Sequence, residues 1–113
     1  HIFVTGHSLG AALASLCVVD LRNDNNNVSG IVFALPKLGN LEFSQQSAQI
    51  LQNQLIVYRN TADFIPLTPL GIQLRWFDIQ DLQQKIYKDF RYDTGDLPKN
   101  HSMQWYYDNV KKS

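Results

Sequence analysis

An α/β fold is predicted, a mostly parallel sheet flanked by helices, and three observations predict it. Apolar, β-branched runs recur along the 113-residue chain as HIFVT, SGIVFAL and QLIVY. A helix-length segment separates each from the next. Crossovers of that length join parallel strands, whereas a tight turn joins antiparallel ones. Strands buried on both faces read as continuous apolar runs, and IVFAL and LIVY do.

The elements follow in order. His1 to Thr5 is a buried strand candidate. From Ser8 to about Leu21, Leu9, Leu13, Leu16, Val18, Val19 and the alanines leave no clear polar stripe, so this helix is expected to be buried on most faces. The polar loop NDNNN, Asn23 to Asn27, ends it. Ser29 to Leu35 is a second buried strand, broken by Pro36. Asn40 suits the N-cap of a helix over about Leu41 to Asn53, with Glu42 near the positive end of its dipole. Leu41, Ser44, Ala48 and Leu51 form its thin inner face. Gln54 to Tyr58 is a third strand. Ile72 to Ile79 alternates like a half-exposed fourth. Asp81 to Asn100 is weakly patterned and irregular, with a short strand possible near Ile86 to Tyr92, and Ser102 to Val110 reads as a terminal helix.

Bulk composition narrows the function classes. The length is that of one small domain. Lys+Arg and Asp+Glu are 10 each, so the net charge is zero and nothing argues for nucleic acid or an anionic membrane as partner. Cys17 is the single cysteine, which excludes an intrachain disulfide. No apolar run is long enough to span a bilayer. The chain opens at His1, without Met, directly on a strand-like run. It is read as a fragment or a processed piece, with any targeting segment lost.

In an open α/β sheet, functional groups collect at the carboxyl ends of the strands. The motif Gly6-His7-Ser8-Leu9-Gly10 lies there, between the first strand and the first helix. A serine at the tip of such a turn takes a strained backbone conformation that projects its hydroxyl. Gly6 and Gly10, two before and two after, are expected where the chain comes too close for a side chain. Ala11, Ala12 and Ala14 let the helix lie near the sheet. The backbone N–H of Leu9 is the expected oxyanion donor at the helix N-terminus. A serine there also serves as a plain N-cap, which explains Ser8 but not both glycines.

A nucleophilic serine needs a neutral imidazole, and the imidazole needs a carboxylate. His1 is at the wrong end of the first strand. His7, inside the turn, is too constrained to reach its own neighbour and reads as a packed, hydrogen-bonded histidine. His101, before the last helix, is the remaining base, and it follows the serine and acid in chain order. Among the aspartates, Asp63 fits best. It follows QLIVY at the same edge of the sheet and is flanked by apolar Phe64, Ile65 and Pro66. Asp93 and Asp96 are its reserves. No metal or cofactor is required.

These residues resemble the class 3 lipase family. VTGHSLGAALA (Val4 to Ala14) is similar to its elbow. FALPKLGN (Phe33 to Asn40) is similar to its F-G-x-P-R-V-G-N segment, with Phe43 as the aromatic that follows. YRNTADFIPLTP (Tyr58 to Pro69) is similar to the loop bearing the acid, and NHSMQWY (Asn100 to Tyr106) to the segment bearing the base. Departures are Ala11 for a glycine, Lys37 for arginine, Phe64 for proline and Asn100 for an acidic residue. The resemblance implies a partial α/β-hydrolase fold, residues 1–113 being its C-terminal half. The absent first half would carry further strands, a lid and the other oxyanion donor. It implies a serine ester hydrolase acting on acyl esters of lipids at a lipid–water interface. Phospholipid or feruloyl esters are alternative substrates, and a truncated or degenerate domain inactive by itself is the non-enzymatic alternative. A secreted or lysosomal-like compartment goes with the resemblance. Trp76, Trp105, Tyr106 and Tyr107 are candidates to line an acyl site, with core packing as the commoner use of such aromatics.

Overall fold

A computed structural model describes residues 1–69, 78–79 and 86–112. The elements run β1 (Ile2–His7), α1 (Leu9–Asn23), β2 (Val28–Phe33), α2 (Leu41–Leu51), β3 (Leu55–Asn60), β4 (Tyr87–Phe90), α3 (Leu97–Asn100) and α4 (Met103–Lys111). The four strands form one sheet in the order β1-β2-β3-β4, every pair parallel. Sequential order follows from the crossovers: each helix returns the chain to start the next strand beside the last. The strand expected near Ile86 to Tyr92 is β4. Most of the one expected over Ile72 to Ile79 lies outside the described residues; Asp78 and Ile79 are irregular, and Ile79 is buried.

The core lies on one face of the sheet. Val28 and Val32 of β2 and Leu55 and Val57 of β3 are fully buried there. Ala11, Ala14 and Val18 of α1 and Leu51 of α2 belong to the same buried cluster. Small residues set the spacing: a Cβ on Gly30 would lie 3.0 Å from Val18 Cγ2 and 3.0 Å from Val4 O. Asn40 caps α2 as expected, its Oδ1 accepting from Phe43 N–H at 2.9 Å.

Burial on both faces is not what the structure shows. β2 alternates, with Ile31 43% exposed, and Phe3 of β1 is 80% exposed. An apolar groove of about 240 Å³ runs along Phe3, Thr5, Ile31 and Phe33. The second face is covered by α4, which packs mainly on β3, so β1 at the edge remains bare among the described residues. α1 is likewise not buried on most faces. Leu9, Leu13 and Leu16 form an exposed stripe at helical spacing, while the alanines carry the contact with the sheet. In α2, Leu41 is exposed; Ser44, Ser47 and Leu51 are buried, and Ala48 packs partly buried against the core. An apolar run therefore marked strand and helix correctly but overstated their cover, because periodicity says nothing about which neighbours are present.

Candidate active site

The turn after β1 is built from backbone constraints. Ser8 has φ 60° and ψ −123°, a region that costs a non-glycine residue about 1–3 kcal/mol. Its N–H donates to Phe33 O at 3.0 Å, tying the turn to the end of β2, and its carbonyl accepts from Ala11 N–H at 3.0 Å. The side chain makes no capping bond to the helix, so the plain N-cap role is excluded. Gly6 is required sterically: a Cβ there would press on the backbone of Gly10 and lie 2.9 Å from Ala11 N. Gly10 is a correction. A Cβ at that position meets nothing within 4 Å, because the first turn of α1 points outward at Gly10.

Three distant side chains meet at this turn. His101 Nε2 lies 2.7 Å from Ser8 Oγ, and His101 Nδ1 lies 2.8 Å from Asp63 Oδ2. Asp63 comes from the loop after β3, the carboxyl side of the sheet. Its side chain is 0% exposed, whereas that of His101 is 21% exposed. The carboxylate is oriented twice more: Oδ1 accepts from Ile65 N–H at 3.0 Å, and Oδ2 accepts from Tyr106 Oη–H at 2.8 Å. With Asp63 ionised and acceptor-only, His101 carries its proton on Nδ1, leaving the Nε2 lone pair toward the Ser8 hydroxyl. Leu9 is the first residue of α1, so its N–H is among those without an intrahelical acceptor, at the positive end of the helix.

The other candidates fall elsewhere. His1 Nε2 is 2.9 Å from Ser29 Oγ, remote from the turn along β1. Asp93 Oδ1 accepts from Gly95 N–H and Asn100 Nδ2–H, which holds its carboxyl below the usual range, and Asp96 caps α3. Neither reserve contacts His101 through those bonds. His7 is packed and hydrogen-bonded, as expected. Its Nε2–H donates to His101 O at 2.8 Å, and its ring stacks on the His101 ring at 4.7 Å. Burial lowers its pKa, so it is held neutral.

Among the aromatics Trp76, Trp105, Tyr106 and Tyr107, Tyr106 takes the core-packing role: it is fully buried in α4. Its hydroxyl accepts from Asn60 N–H at 3.0 Å while donating to Asp63, and burial pushes its pKa up. Trp105 stacks on Tyr92 at 4.9 Å, Tyr107 is exposed, and Trp76 lies outside the described residues. No signal in the sequence tied the Tyr106 hydroxyl to the site. Its partner was hidden because Asp63 is distant in sequence.

Comparison with known proteins identifies the family to which this turn belongs. The model of the family Lipase (class 3) matches residues 1–72. The chain belongs to the class 3 lipase family. Phospholipase A1-II 5 of Oryza sativa subsp. indica is 38% identical over 80 residues, covering 63% of this chain and 17% of that protein. A secreted mono- and diacylglycerol lipase of Malassezia globosa is 37% identical over 78 residues, 65% of this chain and 26% of that protein. Among solved structures, a mutant MDLA of Penicillium cyclopium superposes with TM-score 0.61 at 29% identity, covering 69% of this chain and 28% of that one. The mono- and diacylglycerol lipase of Aspergillus oryzae gives TM-score 0.54 at 36% identity, with the same coverage of both chains. The chain thus spans about a sixth to a quarter of the length of these lipase-family relatives. Its parallel sheet with flanking helices is part of the α/β-hydrolase fold that the solved lipases share. His101 lies outside the 1–72 match, so its association with this lipase elbow comes from the geometry.

Proposed function

We propose that this class 3 lipase chain carries the nucleophile, base and acid of a serine ester hydrolase acting on acyl esters of lipids. The continuous hydrogen-bonded path from Ser8 Oγ through His101 to Asp63 Oδ2 supports it most directly. Ser8 Oγ attacks the ester carbonyl as His101 Nε2 takes its proton. Asp63 keeps the proton on Nδ1 and stabilises the imidazolium that forms. The Leu9 N–H donates to the oxyanion of the tetrahedral intermediate, a contribution of about 2.7–4 kcal/mol for one such donor. Collapse expels the alcohol, which takes the proton from His101, and leaves an acyl group on Ser8. Water, deprotonated by His101, then releases the acid.

On this reading the 113 residues correspond to the C-terminal half of a lipase domain. The substrate reading rests on the mono- and diacylglycerol lipase names among the relatives, and phospholipid is the second substrate class because the rice relatives are phospholipases A1. Contact with a lipid–water interface is supported by Leu9, which adjoins the serine and is 70% exposed. No helix among the described residues is long and apolar enough to cross a membrane. A fluorophosphonate probe should label Ser8 in the full-length protein and release of acid from emulsified triacylglycerol or phosphatidylcholine should follow. Labelling that persists in Ser8→Ala overturns the proposal; the two emulsions distinguish the substrate classes.

A further inference from the structure

Two buried amides hold the loop that carries His101. Asn60 ends β3 and Asn100 directly precedes the base; each is 1% exposed. An amide side chain offers two donor hydrogens and an oxygen with two lone pairs. Asn60 uses them all. Its Oδ1 accepts from Ala62 N–H at 3.1 Å and Tyr92 N–H at 3.0 Å, and its Nδ2 donates to Tyr92 O at 2.8 Å and Asn100 O at 3.3 Å. Asn100 does the same. Its Oδ1 accepts from Thr94 N–H at 2.8 Å and Thr94 Oγ1–H at 2.7 Å, and its Nδ2 donates to Ala62 O and to Asp93 Oδ1, each at 3.1 Å. Fully satisfied buried networks of this kind fix one geometry.

Three segments are joined by these bonds: the stretch leading to Asp63, the turn after β4, and the residue before His101. Ala62 O, the carbonyl adjoining Asp63, is held by the same amide whose backbone continues into His101. We propose that Asn100 is a positioning residue that sets His101 at its distance from Ser8 and Asp63, and that its amide donors are what it supplies. This rests on the ester hydrolase reading above. A carboxylate has the same shape but no donor, so at this position it would face Ala62 O and the Asp93 carboxylate. The other charged or titratable groups around the pair are Arg91 at 3.4 Å from Asp93 Oδ2, Asp96 and Lys99 of α3, and Asp63 with His101. Arg91 lies on the far oxygen of Asp93, leaving Oδ1 to the amide.

The test uses the full-length protein with p-nitrophenyl butyrate, fluorophosphonate labelling of Ser8 and thermal denaturation. Asn100→Asp should lower kcat about 10- to 100-fold at mildly alkaline pH, the scale of a slightly misplaced base, with KM within about twofold. The loss should shrink as pH falls toward mildly acidic, because protonating one carboxyl of the facing pair restores a donor. Asp93→Asn alone should change kcat less than about threefold, and adding it to Asn100→Asp should recover part of the loss. A purely structural role would lower the melting temperature without the pH-dependent recovery or the rescue. Wild-type kcat in Asn100→Asp, or a loss relieved neither by pH nor by Asp93→Asn, overturns the proposal. If Asn100→Asp does not fold, Thr94→Val carries the test: without the Thr94 hydroxyl the amide that donates to Ala62 O loses one of the bonds that orient it, and unchanged kcat there overturns the proposal. Wild-type protein unlabelled at Ser8 would instead overturn the ester hydrolase reading.

Discussion

Ser8 and His101 touch, yet they are held in place in different ways. The turn around Ser8 is a local object. A missing Cβ at Gly6, a positive φ at Ser8 and the start of α1 define it, and the Ser8 N–H bond to Phe33 O extends its pairing with β2. The loop around His101 is assembled from a distance. His101 ends a four-residue helix that would not persist alone, and its place depends on His7, Asn60, Asp63 and Asn100 with its partner Thr94. Ser8, the proposed nucleophile, thus sits on backbone geometry, which resists most substitutions except at one glycine. His101, the proposed base, sits on buried polar side chains, where one missing donor is felt.

On the proposed mechanism both halves are needed for turnover. Ser8→Ala, His101→Ala and Asp63→Asn should each lower kcat by about 10⁴-fold or more, read by ester hydrolysis of the full-length protein. A variant that keeps a tenth of wild-type turnover would separate its residue from the site. The elbow should be sensitive at one glycine only. Gly6→Ala should cost about 1–3 kcal/mol or more, because its Cβ meets backbone that cannot turn aside. Gly10→Ala should be neutral or stabilise by up to about 1 kcal/mol, since its Cβ meets open space in a helix. Denaturant titration decides between them, and equal costs would contradict the steric account.

Tyr106→Phe probes the distant assembly. It removes the donor to Asp63 and leaves Asn60 N–H buried without its acceptor, a cost of about 1–3 kcal/mol in stability. Calorimetry checks it, and a change below a few tenths would mean that water or another group replaces the hydroxyl. The smallest effect belongs to His7. Burial lowers its pKa in the fold below the ordinary 6.5, so the unfolded chain takes up the proton first as pH falls. Its contribution is fully present above that value and declines as pH drops through it. His7→Phe should therefore flatten the loss of melting temperature on moving from neutral to mildly acidic pH. An unchanged slope would show that His7 keeps its proton equilibrium on folding.

Much of this was legible in the chain itself. Apolar runs located β1, β2 and β3, Asn40 marked the start of α2, and the two glycines about Ser8 located the turn. Asp63 and His101 could be ranked because strand ends and chain order limit the choices. Tyr106 and Asn60 could not be ranked: a buried tyrosine looks like any core aromatic until its hydroxyl partner is known. Asn100 stood out only as a departure from the family pattern, with no hint that it would use all its hydrogen-bonding capacity.

Local rules determined the elements of this protein, since periodicity, capping and the absence of a Cβ act within a few residues. The class 3 lipase resemblance was local too, carried by short segments. Which face of the sheet is covered was decided only in three dimensions, because cover depends on where α1, α2 and α4 come to rest. The same holds for the hydrogen-bonded path from Ser8 to Asp63 and for the amide pair behind it. Each of those contacts joins residues far apart in the chain, and no local propensity encodes a distance between them.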